Sequence, residues 1–245
     1  MISQIEAADP RLAQAPGEPL LLAMIQGLAK TAGPGLRREV WLAAEEGGCP
    51  AGAVCRTEGG VWATAAPGAG EETAALLAAL GELPATVDGG LAALLPGRVW
   101  ERRLVLAYRG PWPVEGPRLC VPSCMELADC CVGAGLAAAG ERDDLYAELH
   151  LRVRRGAGQV VLVPDGEGKA AAGAANLLGE GAAVIGFLAC RRERQGRGYG
   201  TAALQAAVWA AMEGGKTPLL ACREELAAFY TRRGFAVSGQ VWERQ

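Results

Sequence analysis

Ten residues, Arg191-Arg192-Glu193-Arg194-Gln195-Gly196-Arg197-Gly198-Tyr199-Gly200, place four guanidinium groups and three glycines between an apolar run and an alanine-rich one. Guanidinium forks meet phosphate oxygens with paired hydrogen bonds. Glycines without a Cβ let main-chain N–H groups approach an anion directly and reach φ values closed to other residues. A helix that starts just beyond adds unpaired N–H groups and a partial positive charge, which favour the same ligand. The chemistry on offer is recognition of a nucleotide-like polyphosphate. Alone, the string also fits a surface turn with solvated arginines.

The elements that must hold this loop can be read on either side of it. Ala183–Cys190 is a continuous apolar run of strand length. An amphipathic helix is expected from near Thr201 to Glu213, stopped by Gly214-Gly215. The spacing G-x-G-x-G lacks the third glycine position of the dinucleotide fingerprint, and it has neither the lysine nor the Ser/Thr of a Walker A loop. What it matches is Gln/Arg-x-x-Gly-x-Gly/Ala, as Gln195-Gly196-Arg197-Gly198-Tyr199-Gly200. Downstream, after the apolar run Leu219–Cys222, comes Glu225-Leu226-Ala227-Ala228-Phe229-Tyr230-Thr231-Arg232-Arg233-Gly234-Phe235. Gly234 reads as the residue past a helix C-terminus, with two arginines in the last turn.

The two segments together resemble the GCN5-related N-acetyltransferase (GNAT) superfamily: the loop its acetyl-CoA pyrophosphate loop, the second its Ala-x-x-Phe-Tyr-x-x-x-Gly-Phe segment. The resemblance covers roughly residues 118–245 and is sharpest from 184 to 235. It implies an α/β fold of the GNAT type, a mixed, mostly antiparallel sheet flanked by helices. It implies acetyl-CoA as cosubstrate, held by Gln195, Gly196, Arg197, Gly198, Tyr199, Gly200 and Thr201 around the diphosphate. Strand backbone at Leu188, Ala189 and Cys190 would bond the pantetheine arm. Tyr230 occupies the position of the tyrosine that protonates the departing thiolate; read without the loop, it is an aromatic residue packed under the last strand. Glu224 stands near the point where the family often carries an asparagine or serine that touches the cofactor.

Three prolines and two glycines between Tyr108 and Pro117 mark a linker. Beyond it the pattern reads helix 124–136, helix Asp143–Arg154, strands Gln159–Pro164, Ala170–Leu178 and Ala182–Cys190, the loop, a helix, a strand, a helix and a final strand Ala236–Trp242. Before it there is a fainter copy of the plan. Val61–Ala66, the loop Pro67-Gly68-Ala69-Gly70 and Glu71-Glu72-Thr73-Ala74-Ala75-Leu76 echo the strand, loop and Thr201-Ala202-Ala203-Leu204. Ala85–Val87 and Gly90–Leu94 echo the later strand and helix, with Arg38–Glu46 and Gly52–Arg56 as earlier strands and Pro19–Leu28 as a short apolar helix. The expected organisation is therefore tandem: residues 1–110 a degenerate, non-catalytic GNAT-like domain and 118–245 the catalytic one. The first copy carries two glutamates where the second has arginines, and it has no tyrosine matching Tyr230.

Composition restricts the function classes. The 245-residue chain has a net charge of −3 with both signs interspersed, so no field points to nucleic acid as a partner. No apolar stretch approaches the roughly 20 residues of a membrane span. The first residues lack a basic region followed by an apolar core, which makes the cytoplasm the expected location. Eight cysteines contain no Cys-x-x-Cys pair and accompany one histidine, so no metal site is expected and the thiols read as ordinary buried or partly exposed groups. His150 lies beside the apolar side of its helix and reads as structural, which leaves Ser-His-Asp and Cys-His hydrolysis unsupported.

The leading function is an acetyl-CoA-dependent N-acetyltransferase acting on a primary amine of a small molecule, amino acid or peptide. Two alternatives stay open: a non-catalytic CoA or acyl-CoA sensor, and an aminoacyl-tRNA-dependent transferase of GNAT-like fold. Candidate bases for the amine are Glu148, Glu180, Glu193 and Glu224, none singled out by the pattern. The acceptor and the oligomeric state are not encoded in any recognisable pattern.

Overall fold

The structure is a computed structural model in which residues 1–32, 38–95, 97, 99–112 and 121–244 are described. Along the chain run β1 (Ile2–Ile5), α1 (Pro19–Ala29), β2 (Glu39–Ala44), β3 (Pro50–Thr57), β4 (Gly60–Ala65), α2 (Gly70–Ala79), β5 (Ala85–Val87), α3 (Gly89–Leu94) and β6 (Glu101–Tyr108). There follow α4 (Cys124–Ala134), α5 (Arg142–Arg154), β7 (Gly158–Pro164), β8 (Ala170–Leu178), β9 (Ala182–Cys190), α6 (Tyr199–Glu213), β10 (Thr217–Cys222), α7 (Glu224–Thr231) and β11 (Phe235–Arg244). Short 3-10 turns at Pro67–Ala69 and Arg192–Arg194 precede α2 and α6. The fold is mixed α/β, with mostly antiparallel strands flanked by helices. The proline-rich residues 113–117 of the expected linker lie outside the described residues.

Two compact units emerge, and they cut the chain differently from the halves expected at 1–110 and 118–245. One is Met1–Arg109 with Leu219–Gln245, the other Gly110–Pro218. The last segment, Leu219–Gln245, is grouped with Met1–Arg109. Strand pairing is the reason. β11 is hydrogen-bonded on both edges, to β5 with Trp242 opposite Val87 and to β6 with Phe235 opposite Tyr108. Removing it would leave two rows of backbone groups without partners.

In the first unit the strands run β1-β2-β3-β4-β5-β11-β6-β10, antiparallel except for β4 with β5. Pro19 opens α1, where a missing N–H costs nothing, and the Glu18 carboxylate caps it by accepting from the Leu21 N–H at 3.0 Å. Leu21, Ile25 and Leu28 then bury one stripe of the helix completely or nearly so. Asp88 caps α3 through the Leu91 N–H at 3.0 Å, and its other oxygen accepts from Thr64 Oγ1 at 2.8 Å and the Ala65 N–H at 2.9 Å. Val54, Val61, Val87, Leu91 and Leu95 close the core beneath it.

The second unit is an antiparallel meander β7-β8-β9 with helices on both faces. Alternation divides the strand residues by face. Val160 and Leu162 pack with Leu127, Cys130, Cys131 and Leu149 of α4 and α5, while Val163 and Ala172 pack with Ala203 of α6. Asn176, buried in β8, donates from Nδ2 to the Ala207 carbonyl at 2.9 Å and ties the sheet to α6.

The expected elements are present with ends moved by a few residues. α6 begins at Tyr199 rather than Thr201, and α4 stops at Ala134 because Gly135 takes the left-handed conformation at φ 76°. Two strands, β1 and β6, were not anticipated. In β6 the pair Arg102-Arg103 hides the alternation. In the fold Arg103 is buried and neutralised by Glu101 at 2.6 Å and Glu243 at 2.7 Å.

Candidate cofactor-binding site

The approach to α6 begins on β9. Opposite β8, Gly173 faces Ala189 and Ala175 faces Gly186, so two residues of β9, Phe187 and Leu188, stand against Ala174 alone. This is a β-bulge, which bends its strand and leaves a backbone group out of the ladder. Phe187 is the one non-glycine residue with positive φ, at 49°, among the described residues. A bulky side chain held there costs about 1–3 kcal/mol and marks a place where the surrounding structure imposes a backbone direction. Three contacts hold it: the ring packs against the α4–α5 core, the Arg152 guanidinium lies 5.5 Å from the ring centroid, and the Cys131 thiol faces the Phe187 carbonyl at 3.9 Å. Within the bulge Leu188 packs toward the α6 side, and just beyond it Ala189 is buried toward α4.

After Cys190 the chain makes its 3-10 turn, and Gln195, Gly196, Arg197 and Gly198 are exposed. Gly196 and Gly198 have φ 74° and 87°, left-handed values that favour glycine. A Cβ at either would meet nothing within 4 Å, so they are glycines for their backbone turn and not for lack of room. The turn directs the chain into α6 with Gly198 as N-cap and no side chain capping it. Among the described residues, the N–H groups of Gly196, Arg197, Gly198 and Tyr199 make no hydrogen bond within the protein. Unpaired amides at the start of a helix, here one of 15 residues, are groups that favour an anion.

The expected binding residues fall into different roles. Gln195 donates from Nε2 to the Cys190 carbonyl at 3.2 Å, so its side chain closes the loop on its own strand. Tyr199 offers its amide, while its ring packs beside Val163 and Ala203. The Gly200 N–H bonds to the Cys190 sulfur, and Thr201 lies in the first turn of α6. The sequence reading took the charge of all four arginines as suited to phosphate and named Arg197 as a binding residue; in the fold Arg191 donates from Nε to the Ala170 carbonyl at 2.9 Å and Arg194 pairs with Asp165 at 2.8 Å. Neither was separable from Arg197 by spacing alone, because their partners lie 20 or more residues away on β8 and the β7–β8 turn.

Burial raises the thiols beside this strand and so favours their protonated form. Burial pushes Cys190 up despite the Gly200 amide, and burial with its neighbour Cys130 pushes Cys131 up to about 12.

Tyr230 belongs to the first unit, in the last turn of α7. It is half-buried, its ring 5.0 Å from Phe229 and 6.0 Å from Phe235, both edge-on. Its hydroxyl has no hydrogen-bond partner among the described residues. Burial first, and then Cys222, raise its pKa above the ordinary tyrosine value, so it keeps its proton at neutral pH. The helix end is locked by Arg233, whose guanidinium stacks 3.7 Å from the Phe229 ring centroid and donates to the Phe229 carbonyl at 2.6 Å. Of the carboxylates considered as bases, Glu148 is paired with Arg152 at 2.9 Å and Glu224 with Arg102 at 2.6 Å. His150 is exposed and stacks on Tyr146 with ring centroids 5.6 Å apart.

Comparisons with known proteins agree with this architecture. Residues 122–235 match the Acetyltransferase (GNAT) family. No curated protein matches the sequence. Among solved structures, a GCN5-related N-acetyltransferase from Sphaerobacter thermophilus is similar at 16% identity and TM-score 0.61, covering 100% of this chain and 95% of that one. A GCN5-related N-acetyltransferase from Kribbella flavida is 20% identical with TM-score 0.60 over 94% and 95% of the two chains. A tandem GNAT protein from the clavulanic acid biosynthesis pathway is 13% identical with TM-score 0.60 over 100% of this chain and 98% of its own. At these identities the likeness is one of fold. Among the described residues no helix is long and apolar enough to cross a membrane.

Proposed function

We propose, from the match of residues 122–235 to the Acetyltransferase (GNAT) family, that the protein is an acetyl-CoA-dependent N-acetyltransferase. Its acceptor is a primary amine of a small molecule, an amino acid or a peptide. The observation that carries this reading is the run of four amides from Gly196 to Tyr199 that make no hydrogen bond among the described residues, following a bulged strand.

Acetyl-CoA supplies the activated thioester. The amides at 196–199 hold its diphosphate, and Arg197, exposed on the loop, adds a positive charge. Backbone groups at Leu188, Ala189 and Cys190 hold the pantetheine arm in extended form, and a bulge N–H donates to the thioester oxygen as that oxygen gains charge. Holding the two reactants in place supplies much of the acceleration. As the neutral amine forms the C–N bond and the C–S bond breaks, the amine proton leaves to water or a base. Tyr230, kept protonated by its partly buried site, gives its proton to sulfur.

A thermal-shift titration with acetyl-CoA, paired with a thiol-release assay over a panel of amines, tests the proposal. A rise in Tm with acetyl-CoA and amine-dependent thiol release are expected. Absence of any CoA-dependent shift overturns the cofactor assignment, and a shift with no release from any amine favours a binding protein without turnover.

A further inference from the structure

Three of the four arginines in the 191–197 run are directed at protein. Arg191 reaches β8 through the Ala170 carbonyl at 2.9 Å. The Arg192 guanidinium lies over Gly135, where a Cβ would collide with it; this is the C-terminal cap of α4, an end that favours a cation. Arg194 ion-pairs from NH2 with Oδ2 of Asp165 at 2.8 Å, and the Asp165 side chain is only 4% exposed. The other Asp165 oxygen accepts from the Glu167 and Lys169 amides at 2.8 and 3.0 Å, so the carboxylate is fixed by its own turn before it meets the guanidinium. Arg197 has no hydrogen bond or ion pair among the described residues, and it sits between the two left-handed glycines.

Resting on the CoA reading above, in which Arg197 meets the cofactor's phosphates, we propose that Asp165 and Arg194 are positioning residues that brace the 195–200 loop from outside. Asp165 anchors the brace because its turn amides leave it one free oxygen, aimed at Arg194 and shielded from water. A shielded pair of this kind is screened by salt much less than an exposed cation meeting a phosphate. The two roles therefore differ in how affinity responds to ionic strength.

The test measures Kd for CoA by calorimetry on the full chain at low and high salt, with Arg197→Gln, Arg194→Gln, Asp165→Asn, the double variant Asp165→Asn/Arg194→Gln, and Arg194→Lys. Arg197→Gln is expected to weaken CoA on the order of tenfold at low salt and to flatten the salt dependence, since one charge-assisted contact is lost. Asp165→Asn and Arg194→Gln are each expected to weaken CoA several-fold with the wild-type salt dependence kept. Their double variant is expected to be no weaker than either single one, because both remove the same pair. Arg194→Lys, which keeps the charge, should recover part of the affinity. Melting curves without ligand separate loss of fold from loss of loop position. Additive losses in the double variant, or a flattened salt dependence in Arg194→Gln, would overturn the assignment by making Arg194 a ligand contact. An unchanged Kd in Arg197→Gln removes Arg197 from the phosphate contact given to it under the proposed function. If the wild-type protein binds no CoA, the functional reading itself fails, an outcome distinct from either.

Discussion

The chain passes from a strand through a 3-10 turn into a helix at Pro67–Ala69 and again at Arg192–Arg194, and the two entrances have opposite chemistry. In the first, α2 starts directly at Gly70. Ala69 and Gly70 are buried, and the Ala69 N–H is spent on the Ala66 carbonyl at 3.0 Å. Glu71 and Glu72 stand in the first turn, with Glu72 accepting from the Ile2 N–H at 2.9 Å and pairing with the Met1 ammonium at 2.8 Å. The helix dipole there already has its carboxylates, and a polyanion would meet like charge. In the second, Gln195-Gly196-Arg197-Gly198 separates the 3-10 turn from α6, no acid lies in the first turn, and the amides stay exposed. Two glycines in left-handed conformation thus separate a closed helix start from one whose amides stay unpaired among the described residues.

The comparison can be broken or sharpened by experiment. The largest effect is expected at the tyrosine proposed to protonate the thiolate: α3, which echoes α7 in sequence, has no tyrosine, and Tyr230→Phe is expected to lower turnover by about 10²–10⁴-fold while CoA affinity stays. Its raised pKa sets the sign of the pH response. Activity that needs the protonated phenol persists through neutral pH and falls only as pH rises past the elevated tyrosine value, and this alkaline limb should vanish in the variant. Retained turnover in Tyr230→Phe removes the tyrosine from the mechanism. Next comes Gly198→Val: a β-branched residue at φ 87° costs about 1–2 kcal/mol, which spent against the bound loop weakens CoA by roughly tenfold. The matching change in the other entrance, Glu71→Arg, should leave CoA affinity as it was, since the Ala69 and Gly70 amides there are spent on the Ala66 and Pro67 carbonyls; new CoA binding at that site would erase the contrast. The smallest effect is expected of Glu72→Gln, whose partner is the exposed chain terminus, with Tm scarcely moved and CoA binding unaltered.

Much of this was readable from residue order. The glycine spacing 196-198-200 predicted a left-handed loop before a helix, and two of those glycines do take positive φ. The alternating and continuous apolar runs located β7, β8 and β9, and the repeat of strand, loop and helix pointed to β4, α2, β5 and α3. Arg102 and Arg103 concealed β6, because a charge reads as exposed until its partners, here Glu101 and Glu243, are known.

By itself the sequence determined the local conformations: where φ must turn positive, where helices start and stop, and which strands are apolar, all set by steric and solvation preferences of a few neighbouring residues. Only the tertiary structure decided the rest. It put β11 between β5 and β6, bulged β9 at Phe187, and turned Arg191, Arg192 and Arg194 toward protein while leaving Arg197 exposed. Those outcomes depend on partners far along the chain, such as Asp165 for Arg194. A guanidinium carries the same charge toward any acceptor, so its partner is fixed by which carboxylate or carbonyl the folded backbone brings within hydrogen-bond reach.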